Sequence, residues 1–334
     1  MWYYTVALKS KLQWNIKREH KMANHEYWVA LSSVEGVGPV RIKYLLNRFG
    51  EIEAVFDAEL FEIARLPLFD QVLASRVLRA RFGLVEIRRR IEWLKSQGIY
   101  IVCSEDSRYP AQLREFQNAP PVLCYIGELR EIPHNRSVAI VGSRSPSDSA
   151  ILETLNLTTQ LVEAGFTIIS GLANGIDTTV HLGALSARGR TIAVIGSDLL
   201  SIYPADSRQL ATKISQNGMV LSEFLPLTPL SPASLFSCDR IISGLSVATI
   251  VMESAVNDGS MRTAKFALEQ GRFICAYDWQ SNGKLKEGTQ ELIKHGAYPI
   301  SAECFDVFIQ ALMRPKADEK FRKVNLDGEQ MDLF

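Results

Sequence analysis

The segment Ser170-Gly171-Leu172-Ala173-Asn174-Gly175-Ile176-Asp177 directly follows an apolar, β-branched run, Phe166–Ile169. The run predicts a strand that ends in a tight, glycine-rich turn. A helical pattern opens behind the turn, with Asp177 placed as an N-cap and with Leu182 and Leu185 on one face. Glycines let the backbone approach a ligand closely, and a helix N-terminus offers unpaired N–H groups to an anion. The segment therefore predicts a phosphate-binding turn, although turn geometry alone also explains its glycines.

A second turn of the same kind follows the run Val138–Val141 and reads Gly142-Ser143-Arg144. Because the carboxyl ends of parallel strands meet at one edge of a sheet, the two turns predict a single phosphate-binding rim. Arg144 is the first candidate, since a guanidinium beside turn N–H groups can make bidentate contacts to a phosphodiester. The alternative for Arg144 is a structural salt bridge at the sheet edge. The predicted phosphate-binding residues of the two turns are Gly142, Ser143, Arg144, Ser170, Gly171, Asn174 and Gly175.

Strand and helix patterns alternate from residue 138 onward. Continuous apolar strands between amphipathic helices indicate an α/β fold with a doubly wound, Rossmann-like parallel sheet that is buried on both faces. The predicted strands of this sheet are 138–142, 166–170, 191–196, 219–222, 248–252 and 272–276, with a further strand over 98–102. The predicted organisation is a flexible leader (1–24), a small helical domain (25–95), an extended Rossmann-like domain (96–312) and a flexible tail (313–334).

The helical domain opens with two helical patterns around the turn Val34-Glu35-Gly36-Val37-Gly38-Pro39. This arrangement resembles a helix-hairpin-helix, or a SAM-like helical domain. In a helix-hairpin-helix the turn N–H groups can hold a backbone phosphate. The turn equally well joins two packing helices, and both interpretations stay open. The arginine-rich stretch 70–95 that follows is typical of the solvated face of amphipathic helices rather than of a DNA contact.

Composition restricts the function classes. Among 334 residues the formal net charge is +0, which argues against a broadly basic DNA coat, so any nucleic-acid binding must come from a local patch. Five scattered cysteines show neither zinc-ligand nor disulfide spacing, and the five histidines show no metal-ligand spacing. No signal peptide and no apolar run of transmembrane length is found. We expect a cytoplasmic protein without metal, cofactor or membrane contact.

The motifs of common enzyme classes are absent from the sequence. Neither glycine-rich turn continues into Gly-Lys-Ser/Thr, no Gly-x-Gly-x-x-Gly follows a strand, and no Gly-x-Ser-x-Gly elbow occurs. His181 lies on the helix behind the first turn and is interpreted as a packing or capping residue rather than a general base. We therefore predict no catalytic residue and no enzymatic activity.

Several segments resemble the DprA/Smf family of DNA-processing proteins. Besides the two turns, they are Thr191–Gly196 with Tyr203-Pro204, Leu221-Ser222-Glu223 and Arg240-Ile241-Ile242-Ser243-Gly244-Leu245-Ser246. Their order and spacing match from about Glu26 to Ala302. The resemblance implies a nonenzymatic homodimer that binds single-stranded DNA and delivers it to a RecA-type recombinase. It also implies that Arg240 lines the phosphate pocket.

The chain departs from the family where Phe-Pro-x-Arg-Asn-Arg is usual. Here Cys238 replaces an arginine and Asp239 replaces the asparagine. A carboxylate near a phosphate weakens binding, so the pocket is expected to bind DNA less tightly or to prefer another DNA structure, such as branched DNA, and Asp239→Asn is expected to tighten binding. The departures indicate a specialised member.

Two alternatives to the recombination mediator follow. One is a regulatory protein of the same fold, an antitoxin with a toxin partner or a phage-defence component. The other, less favoured, is a nucleotide-cleaving phosphoribohydrolase, a class with a similar sheet whose Pro-Gly-Gly-x-Gly-Thr motif is not found here.

The last five residues, Gln330-Met331-Asp332-Leu333-Phe334, resemble the QxxLF peptide that docks into the bacterial sliding clamp. Gln330 would supply amide hydrogen bonds, and Leu333 with Phe334 would fill an apolar pocket of the clamp. A chance match to so short a motif explains the sequence equally well.

Deleting residues 330–334 is expected to abolish binding to the purified sliding clamp and to leave DNA binding unchanged. Because a short peptide buries little surface, the affinity of one tail should be roughly micromolar. Surface plasmon resonance on immobilised clamp measures this, with the intact and truncated proteins side by side. Equal binding of the two forms would identify the motif as a coincidence.

Overall fold

The computed structural model describes residues 24–133, 135–280, 283 and 285–313. The predicted leader up to residue 23 and the clamp-like tail, with Gln330, Leu333 and Phe334, lie outside the described residues. In the described part of the chain, no helix has the length and the apolar character needed to span a bilayer.

One nine-stranded sheet organises the larger part of the chain, in the order β1-β2-β6-β5-β4-β3-β7-β8-β9. The strands are β1 (Tyr100–Cys103), β2 (Val122–Gly127), β3 (Ser137–Val141), β4 (Thr167–Ser170), β5 (Thr191–Ile195), β6 (Met219–Ser222), β7 (Ala248–Val251), β8 (Phe273–Tyr277) and β9 (Tyr298–Ile300). The predicted doubly wound α/β sheet is confirmed.

The six strands predicted from residue 138 onward, β3 to β8, are parallel to one another as expected, and the antiparallel part of the sheet is the edge formed by β1 and β2. Strand β2 pairs antiparallel with both β1 and β6, whereas the neighbours from β6 to β9 pair in parallel. A parallel connection needs a crossover of a dozen or more residues, usually a helix that traverses one face of the sheet. Between β1 and β2 the chain forms only the four-residue helix Ala111–Arg114, which is too short for such a crossover. Strand β2 therefore lies beside β1 and runs in the opposite direction.

Fourteen α-helices occur in the described residues. They are α1 (His25–Ser32), α2 (Pro39–Phe49), α3 (Leu60–Ala64), α4 (Gln71–Arg79), α5 (Leu84–Ser96), α6 (Ala111–Arg114), α7 (Asp148–Glu163), α8 (Ile176–Ser186), α9 (Arg208–Asn217), α10 (Pro232–Ser237), α11 (Asp239–Gly244), α12 (Gly259–Glu269), α13 (Glu287–Lys294) and α14 (Phe305–Met313). Short 3-10 turns cover Glu53–Val55, Ala80–Gly83, Ala205–Ser207 and Ala302–Cys304.

Alternation along the central strands builds the two faces of the core. In β3, Val138 and Ile140 pack with apolar side chains of α7, α8 and α14, while Ala139 and Val141 pack with α11 and α12 on the other face. Because a strand turns successive side chains to opposite faces, a continuous apolar run is what a sheet covered on both sides requires. The last described helix, α14, completes one of these layers.

The helical unit, α1 to α5, packs on the β1–β2–β6 side of the sheet. Its first four helices form two helix–turn–helix units that repeat at an offset of 32 residues. In the first turn the N–H of Val37 donates to the carbonyl of Val34 (2.9 Å), and in the second the N–H of Phe69 donates to the carbonyl of Leu66 (3.1 Å). The second unit was not predicted, because the two turns share no residue type at equivalent positions.

The backbone of the two turns has the same shape. Gly36 has φ +89° in the first turn, and Leu68 at the equivalent position has φ +68°, a conformation that non-glycine residues seldom adopt. The core positions repeat as well, since Leu45 in α2 and Val77 in α4 are both fully buried. The predicted helical region is thus present and contains two similar helix–turn–helix units, whereas the helix-hairpin-helix interpretation and phosphate binding by these turns stay predictions. The arginines of 70–95 are exposed, as expected for a solvated face.

Leu45→Ala is expected to lower the free energy of unfolding by about 2–4 kcal/mol, because it removes buried methyl groups and leaves a cavity. Val77→Ala should have a smaller effect of the same sign in the second unit. Val85→Ala is the control, since this side chain is 65% exposed, and it should change stability by less than about 0.5 kcal/mol. Urea denaturation measures all three. A neutral Leu45→Ala would contradict the shared core of the two units.

Candidate functional site

A cavity of about 730 Å³ opens at the carboxyl ends of β3, β4, β5 and β7. Its walls are the β3–α7 loop, the β4–α8 loop, the residues after β5 and the N-terminal turn of α12. The order of the strands changes direction here, because β4 lies on one side of β3 and β7 on the other. Such a switch point in an open α/β sheet leaves a crevice in which ligands bind.

The two glycine-rich turns interlock at this edge. The N–H of Ile176, the first residue of α8, donates to the carbonyl of Ser143 (3.0 Å). Gly175 has φ +85°, and a Cβ at this position would lie 2.3 Å from the same carbonyl oxygen, so no other residue fits without moving the turn. Gly175 therefore joins the two loops. It does not line the cavity, in contrast to the sequence prediction.

A buried carboxylate holds the β3–α7 loop from below. Glu253, which is fully buried, accepts the N–H and the hydroxyl of Ser147, each at 2.8 Å. Its backbone carbonyl accepts the N–H of Ser143 (2.6 Å). These bonds fix both ends of the segment that carries Arg144.

Arg144 lies exposed at the rim of the cavity, together with Gly142 and Ser143 on its own loop and Asn174 across from it. Within the described part of the chain, Arg144 forms no salt bridge with an acidic side chain. The structural alternative, a salt bridge at the sheet edge, is therefore not formed among these residues, and phosphate binding by Arg144 stays a prediction. Gly171 also lines the cavity, as predicted.

A second arginine, Arg262, lines the same cavity from the first turns of α12. Its Nε donates to a carboxylate oxygen of Asp239 (2.7 Å), and its guanidinium lies 3.9 Å from the centre of the Phe236 ring. Arg262 was not among the site residues predicted from the sequence. The available signal was Asp258, an N-cap residue seven positions after the end of β7, which places the following helix with its N-terminus at the cavity.

Two carboxyl groups lie beneath the cavity. Burial raises the pKa of Asp177 to about 7 and that of Asp239 to about 6. The Asp177 carboxylate accepts the N–H of Ala173 (3.3 Å) inside the turn. Asp177 is therefore not the N-cap that the sequence predicted: α8 begins at Ile176, and Gly175 occupies the cap position.

The apolar face of α8 also differs from the prediction. Leu182 is 44% exposed, and the buried face is formed by Ile176, Val180 and Ala184. Which face of a helix packs on the sheet depends on the residue at which the helix begins. The shift follows from the helix beginning at Ile176.

Two further predicted site residues lie outside the cavity lining. Ser170 is fully buried and its hydroxyl donates to the carbonyl of Ile140 (2.6 Å), so it connects β4 to β3. Arg240 is held by a bidentate ion pair with Glu223 (2.6 and 2.7 Å). A buried guanidinium needs such a partner, and this one draws Arg240 away from the cavity. In this structure Arg240 therefore pairs with Glu223 and does not line the cavity, and its predicted contact with phosphate stays untested.

His181 is a packing residue, as predicted. It is fully buried, with Nε2 2.7 Å from the carbonyl of Gly171 and Nδ1 2.7 Å from the hydroxyl of Thr191. Burial lowers its pKa to about 4, so the neutral imidazole donates from Nε2 to the carbonyl. The ring ties the glycine-rich turn to β5.

One group of metal-ligand residue types occurs among the described residues, away from the cavity. The ligand atoms of His25, Cys103 and Asp106 lie within 4.8 Å of one another. Nε2 of His25 is 2.9 Å from a carboxylate oxygen of Asp106, which also accepts the N–H of Cys103 (2.7 Å). These contacts attach α1 to the end of β1.

A family model described as "DNA recombination-mediator protein A" matches residues 100–311. Among curated proteins, "Protein Smf" from Synechocystis is 36% identical over 290 residues, covering 84% of this chain and 72% of that protein. "DNA processing protein DprA" from Bacillus subtilis is 36% identical over 215 residues, covering 64% of this chain and 72% of that protein.

Two solved structures resemble the fold. The X-ray structure of DNA processing protein A from Streptococcus pneumoniae has a TM-score of 0.72 at 27% identity and covers 85% of this chain and 97% of that chain. DNA processing protein A from Helicobacter pylori has a TM-score of 0.57 at 26% identity, covering 64% and 95%, and its description concerns a unique mode of single-stranded DNA binding.

The raised pKa of Asp177 predicts a pH-dependent stability. The folded protein keeps a proton that the unfolded chain loses from about pH 4 upward, so this stabilising contribution is complete below about pH 4 and is lost as the pH rises to about 7. His181 acts in the opposite sense, because its lowered pKa gives a contribution that is complete above pH 6.5 and is lost toward about pH 4.

Comparing wild type with Asp177→Asn isolates the first effect, since His181 is the same in both proteins. Relative to the variant, wild type should lose free energy of unfolding between about pH 4 and 7, by roughly 4 kcal/mol at most. Denaturant titrations at five pH values measure the difference. A difference that stays flat with pH would contradict a protonated, buried Asp177.

Proposed function

The chain belongs to the DNA recombination-mediator protein A family, the DprA/Smf proteins, and from this premise we propose that it binds single-stranded DNA in the cavity at the carboxyl edge of its sheet. The observation that carries the proposal is the pair Arg144 and Arg262, which approach one cavity from opposite sides of the switch point. Two guanidinium groups and the N-terminal ends of α8 and α12 give this cavity groups that bind anions, on a chain of zero net charge.

The chemistry of the lining suits a phosphodiester backbone. Arg144 is exposed and without an acidic partner among the described residues, so it can make charge-assisted contacts to phosphate oxygens. Ser143 and Asn174 offer a hydroxyl and an amide beside it. Contacts to phosphate carry no base information, so we propose binding without sequence preference.

The shape of the site favours a single strand over a duplex. A volume of about 730 Å³ holds only a small ligand group, such as one or two nucleotides. The ring of Tyr203 lines the cavity and is 51% exposed, which leaves a face on which an unpaired base can stack. A paired base is already stacked within its helix and is not free to do so.

We further propose, from the family resemblance, that the bound strand is passed to a RecA-type recombinase and that the protein acts as a homodimer. The clamp contact of the tail stays a prediction. The absence of enzymatic activity is likewise a prediction, which an assay for nucleotide hydrolysis tests. No observation in the described structure favours the antitoxin, phage-defence or phosphoribohydrolase alternatives.

Arg144→Ala is expected to weaken binding to single-stranded DNA by about tenfold, because one charge-assisted phosphate contact is lost. The slope of log K against log salt should also become shallower by about 0.7, which is the change expected for one phosphate on a single strand. Fluorescence anisotropy with a labelled oligonucleotide across a salt series measures both quantities.

Arg188→Ala is the matched control. It removes the same positive charge as Arg144→Ala. Arg188 is exposed and follows the C-terminal end of α8, whereas the N-terminal end of α8 lies at the cavity. The variant should leave affinity and salt slope nearly unchanged. If both variants weaken binding equally, the effect is one of total charge and the site assignment is wrong.

A further inference from the structure

The negative charge of Asp239 by itself suggests weaker DNA binding, whereas the contacts of this residue point the other way. The sequence predicts that this carboxylate repels phosphate. In the structure it is only 9% exposed, and one of its oxygens accepts the Nε–H of Arg262 at 2.7 Å. Its charge is therefore compensated by a specific partner rather than presented to a ligand.

We infer that Asp239 is a positioning residue, which holds Arg262 in the cavity so that Arg262 serves as a second phosphate-binding cation opposite Arg144. This inference deepens the proposed function and rests on it.

The Arg262 side chain is held at two points. Nε is bonded to Asp239, and the guanidinium plane lies 3.9 Å from the centre of the Phe236 ring. Among the described residues, its two Nη groups form no hydrogen bond. A guanidinium fixed by Nε and by an aromatic face keeps its outer N–H groups in a defined direction for an anion. The long side chain is then already ordered before the ligand binds, so binding costs less side-chain entropy.

The arrangement also explains the unusual residue at position 238. The resemblance puts an arginine where this chain has Cys238, which is buried and carries no charge to the cavity. Burial raises the pKa of its thiol, so it is not a thiolate. The two departures from the family pattern belong together: the cation absent at position 238 is supplied from α12 by Arg262, and Asp239 orients it.

The inference predicts the sign of a substitution. If Asp239 acts only as a nearby negative charge, Asp239→Asn tightens binding to single-stranded DNA. If it positions Arg262, the same variant weakens binding severalfold, because the guanidinium loses its charged partner. Arg262→Gln should weaken binding by roughly tenfold or more and make the salt slope shallower by about 0.7.

The experiment is a double-mutant cycle on the full-length protein with a labelled oligonucleotide. Wild type, Asp239→Asn, Arg262→Gln and the double variant are compared by anisotropy over a salt series, and their melting temperatures are recorded. The expected result is that Asp239→Asn has no further effect in the Arg262→Gln background, since its only route to the ligand is then absent. A merely structural role for Asp239 would instead lower affinity equally in both backgrounds.

Phe236→Leu provides a second test if Asp239→Asn fails to fold. The ring is 42% exposed, so the substitution should be tolerated, and it removes the other support of Arg262. It should weaken binding in the wild-type background and not in the Arg262→Gln background. Arg188→Ala again serves as the charge-matched control.

The outcomes separate the two proposals. Tighter binding by Asp239→Asn, or effects that add fully in the double variant, would overturn the positioning role while leaving the proposed function intact. Wild-type protein that does not bind single-stranded DNA at all would overturn the proposed function and this inference with it. Weaker binding together with non-additivity supports both.

Discussion

The contact between Gly175 and the carbonyl of Ser143 is the constraint on which the site depends. With 2.3 Å between that oxygen and any added Cβ, the β3–α7 and β4–α8 loops can meet only because residue 175 has no side chain. The N–H of Ile176 completes the junction at 3.0 Å. The segment that carries Arg144 is thereby fixed against the start of α8, and two separate turns become one wall of a cavity.

Burial of charge governs which arginines remain available to a ligand. A guanidinium taken out of water requires a carboxylate partner, and Glu223 supplies one to Arg240 in two short hydrogen bonds. Arg144 stands at the rim, where water solvates it, and needs no such partner. Arg262 is intermediate, being held by Asp239 yet open to the cavity. The three arginines thus differ in role because they differ in depth.

Much of the fold follows from local pattern. The six strands from β3 to β8 were predicted to within one residue at each end, because a sheet buried on both faces demands continuous apolar runs and each run ends at a glycine or polar turn. The short edge strand β9 was not predicted. The antiparallel β2 and the second helix–turn–helix unit were not predicted. Both depend on how distant segments pair. In addition, leucine seldom adopts a positive φ, so the residue type at position 68 did not indicate the turn.

The sequence by itself determined the six strands from β3 to β8, the two turns at their carboxyl edge and the family, because short local runs of residues specify these features. Only the tertiary structure decided which side chains reach the cavity. Arg240 meets Glu223 and Arg262 meets Asp239 across 17 and 23 positions of chain. No periodicity spans such distances, and a guanidinium takes its role from the carboxylate that folding brings beside it.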